Sequence, residues 1–299
     1  MKAKILDGVT IAKEIRSEVA KGVTEVKKQH NIVPGLVGVL VGDDPASAVY
    51  VRNKERAATE AGILPKVIKL SDTTTQNELL ALIEDLNADA RFHGILVQLP
   101  LPQQINEDII IEAIHPAKDV DGLHPINIGR LVSGRPSFVP ATPSGVQQII
   151  IRSGYEIEGK HVVICGRSNI VGKPLSSLLI QRQPGSNATV TVCHTRTRNL
   201  AEITQRADIL IAAVGRPKFI TADMVKENAV VVDVGINRVD APERRRGYRL
   251  VGDVDFGPVS EKAAAITPVP GGVGPMTIAM LLHNTLKATR YVVNSEYGK

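Results

Sequence analysis

Tryptophan is absent from the chain, and aromatic residues make up only 3% of its 299 residues. The net charge is +5, yet no basic run extends beyond Arg244-Arg245-Arg246, which lies between a proline and a glycine and is predicted to be a solvated hairpin or loop. A nucleic-acid-binding domain usually shows a clustered basic surface and a recognisable motif. We therefore predict no nucleic-acid partner, and the positive charge suits anionic ligands in general.

Long apolar runs and cysteines are also scarce. No stretch approaches the ~18 consecutive apolar residues that a membrane span needs, and Asp7 interrupts the N-terminus before a signal-peptide core could form. Cys165 and Cys193 have neither a CxxC spacing nor the spacing of metal ligands. We predict a cytoplasmic protein with no membrane contact, two buried reduced thiols and no metal.

The patterned segments alternate between strand-like and helix-like along most of the chain, which predicts βαβ units and a parallel sheet. A loop-rich stretch at 115–145 interrupts this alternation. The predicted fold class is α/β, with two α/β lobes, the second a Rossmann-like parallel sheet, and a catalytic cleft between them. The predicted helices are 8–30, 45–61, 76–89, 145–152 and 276–292. The predicted strands are 35–41, 67–70, 94–98, 162–165, 189–193, 209–212 and 230–234.

The predicted domains are a catalytic domain at 1–140, a dinucleotide-binding domain at 141–275, and a C-terminal helix, 276–299, that packs back on the first domain.

A glycine-containing turn follows the predicted strand at 162–165. It reads Gly166-Arg167-Ser168-x-x-Val171-Gly172, where Ser168 and Val171 replace the second and third glycines of G-x-G-x-x-G and Gly172 comes one residue late. Such a turn brings the backbone and a helix N-terminus close to the pyrophosphate of a dinucleotide. An ordinary strand-to-helix turn is the alternative, because a loose glycine pattern is weak evidence alone.

The end of the next predicted strand indicates which dinucleotide would bind. NAD-binding units usually place an Asp or Glu there for the ribose 2′-hydroxyl, but the segment after Cys193 contains Thr195, Arg196 and Arg198 and no acid. Together with Arg167, these groups favour a 2′-phosphate and hence NADP. Arg196 and Arg198 could instead only solvate a loop, so Arg167 and Thr195 are the preferred candidates.

A second candidate site lies in the first lobe. Ser47, Tyr50 and Lys54 are spaced to share one face of a helix that follows the strand 35–41, and Gln98 ends another strand before two prolines. Parallel sheets bind ligands at the carboxyl ends of their strands, and a buried amide there needs a partner, for which Lys54 is one candidate. In isolation, an exposed tyrosine beside a solvated lysine is the default alternative.

The segment Lys118-Asp119-Val120-Asp121-Gly122 is acidic but does not predict calcium binding. An EF-hand loop begun at Asp119 would place Arg130 where a bidentate glutamate belongs. Asp121 is better interpreted as a turn residue or as an acceptor for ring N–H donors of a ligand.

In this order, the segments at 50–54, 97–102, 118–122, 166–174 and the proline- and glycine-rich segment at 268–277 resemble the bifunctional methylenetetrahydrofolate dehydrogenase/methenyltetrahydrofolate cyclohydrolase family nearly end to end. The resemblance implies NADP-dependent oxidation of 5,10-methylenetetrahydrofolate and hydrolysis of the product to 10-formyltetrahydrofolate. It further implies tetrahydrofolate substrates, a homodimer and a place in one-carbon metabolism and purine biosynthesis. Extra residues at 183–185 and 243–249 depart from the family pattern and are predicted to be surface loops.

The resemblance also implies roles for individual residues. Lys54 corresponds to the catalytic lysine, Gln98 to its partner, Tyr50 to a tyrosine that stacks on the aminobenzoyl ring, and Asp121 to the aspartate that holds the pterin. The remaining implied contacts are Ser47, Leu99, Pro270, Gly271 and Gly272 with folate, and Gly166, Arg167, Ser168, Val171, Gly172, Thr195 and Ile236 with NADP.

Three alternatives stay open from the sequence. One is a monofunctional member of the same family. The others are a different NADP-dependent dehydrogenase of shikimate-type architecture, and a nucleotide-binding regulator without catalysis. The segment 268–277 and Gln98 argue against the second. The joint presence of Lys54, Gln98 and Asp121 argues against the third, because a sensor needs no such amine.

Overall fold

The computed structural model describes residues 2–244, 247–295 and 297, and the side chains of Pro45 and Ala46 are outside that description. The helices are α1 (Gly8–His30), α2 (Pro45–Glu60), α3 (Gln76–Ala88), α4 (Glu107–Ala113), α5 (Pro125–Val132), α6 (Ala141–Arg152), α7 (Gly172–Leu179), α8 (Leu200–Thr204), α9 (Phe256–Lys262) and α10 (Val273–Asn294), with a 3-10 helix at Ala222–Met224. The strands are β1 (Lys4–Ile5), β2 (Gly35–Val41), β3 (Leu64–Leu70), β4 (Gly94–Val97), β5 (His161–Cys165), β6 (Thr189–Cys193), β7 (Ile209–Ala212), β8 (Val230–Asp233), β9 (Asn237–Asp240), β10 (Tyr248–Val251) and β11 (Ala265–Ile266).

The chain divides into two compact units. The first comprises the described residues of Met1–Ala12 and Thr142–Thr277, and the second those of Lys13–Ala141 and Ile278–Lys299. Both α1 and α10 therefore pass from one unit to the other. Among the described residues, no helix combines the length and apolar character that crossing a membrane requires.

The first unit contains a six-stranded parallel sheet in the order β1-β11-β8-β7-β5-β6. Its central strands are buried along their whole length, as expected when helices cover both faces of a parallel sheet. From β5 the chain proceeds to β6 on one side of that strand, and then to β7 and β8 on its other side. The carboxyl ends of β5 and β7 therefore form the topological switch point at which such sheets bind ligands.

The second unit contains a three-stranded parallel sheet in the order β3-β2-β4. Val37, Val39 and Ile95 of its strands pack with Ile83 of α3 in one apolar core. Helix α3 begins with a capping box in which Thr75 and Glu78 satisfy each other's backbone N–H groups. Helix α2 begins at Pro45, a favoured residue for the first helical position.

The predicted α/β fold class with a Rossmann-like parallel sheet is confirmed. Helix α1 and strands β2, β6 and β7 have the predicted bounds. Helix α6 begins at Ala141 rather than at residue 145, because Pro143 is tolerated in a first turn that needs no N–H donor.

Several short elements have no counterpart in the prediction. The loop-rich stretch 115–145 contains α5. The antiparallel strands β9 and β10 lie on either side of the Arg244-Arg245-Arg246 run, for which a hairpin or loop was predicted. Arg244 lies between these two strands, while Arg245 and Arg246 are outside the described residues. Strand β1 pairs with β11 in the six-stranded sheet. The sequence pattern did not locate this strand, because two residues leave no periodic signal, and residues 1–140 were therefore assigned to the other domain. The domain bounds stay a prediction, and residues 296, 298 and 299 of its C-terminal helix lie outside the described residues.

Candidate active site and candidate dinucleotide site

Helix α2 carries the first candidate group of side chains in the second unit. The Asp44 carboxylate accepts a hydrogen bond from Ser47 N at 2.7 Å, which fixes the start of the helix. Tyr50 and Lys54 follow one turn apart on the same helix, and both are half-buried. Burial raises the pKa of the Tyr50 phenol, so the ring stays neutral and can stack on a ligand.

Strand β4 places Gln98 opposite Lys54. Gln98 N donates to Val39 O at 2.9 Å and so continues the sheet by one bond beyond β4. The Gln98 side chain accepts a hydrogen bond from Lys54 Nζ at 2.9 Å through Oε1, and donates through Nε2 to Leu99 O at 2.7 Å. The predicted Lys54–Gln98 contact is present, and both ends of the amide are engaged.

Asp121 lies level with this strand end. Ile95 of β4 forms a parallel bridge with Asp119, so the register brings Asp121 beside the end of β4. Burial lowers the pKa of Lys54, and the Asp121 carboxylate opposes that shift. Burial raises the pKa of Asp121, Lys54 opposes the increase, and Asp119 adds to it. An amine whose pKa is lowered toward neutrality can both take and give a proton.

Two residues that the sequence did not identify hold the Asp121 segment. The buried Asp119 carboxylate accepts hydrogen bonds from Gly122 N at 3.1 Å, His124 N at 2.8 Å and Asn127 Nδ2 at 2.8 Å. From α10, Asn284 Nδ2 donates to Val120 O and Val139 O at 2.9 and 3.0 Å. Asp119 had a signal in the sequence, because it is the first of the two acids in the segment 118–122. Asn284 had none, because its partners are more than a hundred residues away in the chain.

The first unit contains the glycine turn at the carboxyl end of β5. A Cβ at Gly166 would clash with Ala213 O, and one at Gly172 would clash with Gly166 O, so both positions require close backbone approach. Ser168 Oγ accepts a hydrogen bond from Val171 N at 3.1 Å and shapes the turn that leads into α7. The N-terminus of such a helix favours an anionic group.

The neighbouring strand ends complete this candidate dinucleotide site. Cys193 of β6 pairs with Cys165 of β5, which brings the exposed Thr195 beside the turn that carries the exposed Arg167. The segment after β6 contains two further exposed arginines and no carboxylate. These donors fit a dinucleotide that carries a 2′-phosphate.

The other predicted ligand contacts of this unit follow β8 and β11. Ile236 is 42% exposed and its Cδ1 would lie 3.5 Å from a Cβ at Gly274. The Pro270-Gly271-Gly272 segment lies in the loop between β11 and α10, in the same unit as the dinucleotide turn. It was predicted to contact folate, together with the residues of the second unit, and that role stays a prediction.

Within the described residues, no group of three or more His, Cys, Asp or Glu side chains is arranged to hold a metal ion. The two cysteines are buried, and burial raises the pKa of Cys165 to about 12. These thiols are therefore poor nucleophiles and poor metal ligands.

Comparisons with known proteins match almost the whole chain. The model of the tetrahydrofolate dehydrogenase/cyclohydrolase catalytic domain matches residues 6–121, and the model of the NAD(P)-binding domain of the same name matches residues 140–293. The bifunctional protein FolD of Dehalococcoides mccartyi (strain CBDB1) is 57% identical over 294 residues, which are 98% of this chain and 99% of that protein.

Solved structures agree with these matches. A bifunctional FolD methylenetetrahydrofolate dehydrogenase/cyclohydrolase from Campylobacter jejuni is 48% identical with a TM-score of 0.90, covering 97% of this chain and 99% of the other. A Trypanosoma brucei methylenetetrahydrofolate dehydrogenase-cyclohydrolase (FolD), complexed with NADP cofactor and inhibitor, is 39% identical with a TM-score of 0.93, covering 98% and 99%.

Proposed function

Because the chain belongs to the tetrahydrofolate dehydrogenase/cyclohydrolase family, we propose that it is a bifunctional enzyme of one-carbon metabolism. It oxidises 5,10-methylenetetrahydrofolate to the 5,10-methenyl cation with NADP and hydrolyses that cation to 10-formyltetrahydrofolate. The shikimate-type alternative is not favoured, because the high-identity relatives named as bifunctional FolD proteins match the chain over nearly its full length.

The residues around the β5 turn would hold NADP. We assign Gly166, Ser168, Val171 and Gly172 to the backbone cradle of the pyrophosphate. Arg167 and Thr195 recognise the 2′-phosphate, and Ile236 provides an apolar contact. The chemistry that bound NADP supplies is acceptance of a hydride.

Oxidation requires orientation more than proton transfer. The carbon that loses the hydride is bonded to two nitrogens, whose lone pairs stabilise the resulting cation, so no side chain has to remove a proton in this step. Tyr50, by stacking, and Asp121, by accepting ring N–H groups, would hold the folate in a reactive orientation. Ser47, Leu99 and the Pro270-Gly271-Gly272 segment are assigned to further folate contacts.

Hydrolysis requires two proton movements, and Lys54 is assigned to both. Water adds to the methenyl carbon and loses a proton, and then one carbon–nitrogen bond breaks as its nitrogen gains a proton. A neutral amine can accept the first proton and its ammonium form can donate the second. The observation that carries this assignment is the 2.9 Å hydrogen bond from Lys54 Nζ to Gln98 Oε1 at a half-buried lysine whose pKa is lowered by burial.

The family resemblance also supports assembly as a homodimer and a cytoplasmic location. It further supports supply of 10-formyltetrahydrofolate to purine biosynthesis, and a folate-binding domain at 1–140 with the helix 276–299 beside an NADP-binding domain at 141–275. Sedimentation of the purified chain tests the dimer, since a monomer at micromolar concentration would contradict it.

A spectroscopic assay tests the two activities. It follows methenyl formation from 5,10-methylenetetrahydrofolate with NADP and NAD in parallel, and then the decay of added methenyltetrahydrofolate. We expect the wild-type chain to prefer NADP and to accelerate the decay. If the wild-type chain shows only one of the two activities, it is instead a monofunctional member of the family.

Substitution of Lys54 tests the proton relay. Lys54→Met should abolish methenyl hydrolysis while folate binding stays measurable, because methionine keeps the length of the side chain but cannot transfer a proton. Lys69→Met, at an exposed lysine of β3, is the matched control and should keep both activities. Near-normal methenyl hydrolysis by Lys54→Met would contradict the assignment.

A further inference from the structure

The proposed roles leave two buried acids of the first unit unexplained. Asp233 ends β8 and is 3% exposed, and Asp253 follows β10 and is 0% exposed. Burying a carboxylate is costly unless its oxygens are hydrogen-bonded. The partners of this Asp233–Asp253 pair therefore indicate what the two side chains hold in place.

The Asp253 carboxylate accepts hydrogen bonds from three consecutive backbone N–H groups. These N–H groups belong to Val214, Gly215 and Arg216, called here the 214–216 loop. Their nitrogens lie 2.6, 2.9 and 3.0 Å from the carboxylate oxygens of Asp253. Asn237 Nδ2 donates a fourth bond to the same carboxylate at 2.8 Å. Hydrogen bonds to an ionised acceptor are the strong class, so a single side chain fixes the course of the whole loop.

The Asp233 carboxylate holds Asp253 itself. It accepts hydrogen bonds from the backbone N–H groups of Gly235, Asp253 and Val254, each at 2.9 Å. A Cβ at Gly235 would clash with Asp253 Oδ1. The two carboxylates therefore connect the loop after β7, the loop after β8 and the segment after β10 into one rigid arrangement.

The 214–216 loop lies at the switch point of the sheet. Strands β5 and β7 are neighbours, and Ala213, directly before the loop, donates its N–H to Cys165 O at 2.8 Å. The Ala213 carbonyl oxygen is the atom against which a Cβ at Gly166 would clash. The loop is thus packed against the glycine turn, where dinucleotides bind in open α/β sheets.

We propose that Asp253 is a positioning residue of the dinucleotide site, because its carboxylate holds the 214–216 loop in place. This loop forms the wall of the site next to the end of β7, on the other side of the glycine turn from the end of β6. Asp233 supports this wall by fixing Asp253. The inference rests on the proposed function, because it takes the β5 turn as the NADP site.

Asp253→Asn tests the inference. The substitution keeps the size of the side chain but replaces one accepting oxygen with an amino group, which cannot accept the N–H donors of the loop. We expect the Kd for NADPH, measured by its fluorescence change, and the KM for NADP to rise on the order of tenfold, since a displaced wall misplaces the ligand. The KM for 5,10-methylenetetrahydrofolate should stay within about twofold of wild type, because that substrate is assigned to other residues.

Two comparisons separate positioning from a general loss of structure. A purely structural role would lower the melting temperature and the number of active molecules, but would leave the Kd for NADPH unchanged. Asp255→Asn removes a nearby acid that pairs with Lys218 at 3.1 Å and should leave the Kd unchanged. If Asp253→Asn fails to fold, Asn237→Ser removes the fourth bond and should raise the Kd by a smaller factor.

The outcomes also distinguish this inference from the proposed function. If the wild-type chain shows no NADPH binding, the proposed function is wrong and the inference falls with it. If the wild-type chain binds NADPH, and folded Asp253→Asn (or Asn237→Ser in its place) binds it equally well, the inference alone is wrong.

Discussion

Lys54 donates a hydrogen bond to Gln98 Oε1 at 2.9 Å. Gln98 is neutral, so the bond orients the amine without adding a charge that would hold it in the ammonium form. Asp121 is the carboxylate that stabilises the charge on Lys54, and it opposes a larger effect of burial. The proton-transfer ability of this lysine therefore depends on an amide rather than an acid at position 98.

Gln98→Glu tests that dependence. A carboxylate in hydrogen-bond contact should raise the pKa of Lys54, since opposite charges at this range shift a pKa by about 1–3 units. The neutral amine would then form only at higher pH. We expect the rising limb of the pH profile for methenyl hydrolysis to move by about one pH unit or more to higher pH.

The control for added charge is Gln103→Glu at an exposed position of the same segment, which should leave the pH profile unchanged. If Gln98→Glu stays active and its pH profile for methenyl hydrolysis is not shifted, the pKa of Lys54 does not determine the rising limb of that profile.

Arg167→Ala tests the choice of dinucleotide. Removing a guanidinium from a phosphate contact costs about 1.5–3 kcal/mol. The KM for NADP should therefore rise about tenfold to a hundredfold, whereas the KM for NAD, which has no 2′-phosphate, should change little. Steady-state kinetics with both dinucleotides measure the difference, and Arg182→Ala, at another exposed arginine of the same unit, serves as the control. Equal increases for both dinucleotides would rule out recognition of the 2′-phosphate by Arg167.

The long periodic elements could be predicted because their burial is regular along the chain. Strand β2 is buried along nearly its whole length, and α1 keeps one apolar face over 23 residues. The short strands β1 and β11 have two residues each and show no period. They form because neighbouring strands offer backbone partners, and a sequence pattern does not contain that information.

The residues of the candidate sites also fall into those that could be predicted from the sequence and those that could not. Lys54 and Gln98 were singled out because the pattern located a helix face and a strand end, whereas Asp121 was singled out in an acidic segment of the loop-rich stretch and its role came from the family resemblance. Asn284 and Asp253 act on backbone groups far away in the chain. Such tertiary contacts leave no local signature, so only the folded structure could reveal them.

Asn284→Leu tests the support of the Asp121 segment. Leucine has a similar size but leaves the carbonyls of Val120 and Val139 without their shared donor. An unsatisfied buried polar group costs about 1–3 kcal/mol, so the free energy of unfolding should fall by about 2–4 kcal/mol in urea denaturation. The remaining folded enzyme should show a lower kcat for methenyl hydrolysis, because Asp121 loses part of its restraint.

Arg290→Ala on the same helix is the comparison for this change. Its exposed ion pair with Glu25 is 3.7 Å long, and such pairs contribute at most about 1 kcal/mol. If Asn284→Leu is no less stable than Arg290→Ala, the double hydrogen bond is not a major support of this segment.

The pH dependence of stability tests Asp233. Burial raises the pKa of Asp233 from its ordinary value of 3.8 to about 6. The folded state therefore holds this proton more tightly than the unfolded state. Its contribution to stability is complete below about pH 4 and is lost as the pH rises through about 6, with a size of about 1–3 kcal/mol. The three backbone donors to its carboxylate oppose the shift and limit that size.

Asp233→Asn should flatten the dependence of the unfolding free energy between pH 4 and 7, because the variant has no proton to lose there. The variant will also be less stable at every pH, since its amide accepts fewer of the backbone N–H bonds. Asp208→Asn provides a control of opposite sign, because hydrogen bonds with Lys226 and His161 lower the pKa of Asp208. Its stabilisation is present above pH 4 and is lost only in more acidic solution, so its removal should leave the slope between pH 4 and 7 as in wild type. Urea denaturation at several pH values gives both slopes, and an unchanged slope in Asp233→Asn would mean that this carboxyl group is ionised in the folded state throughout that range.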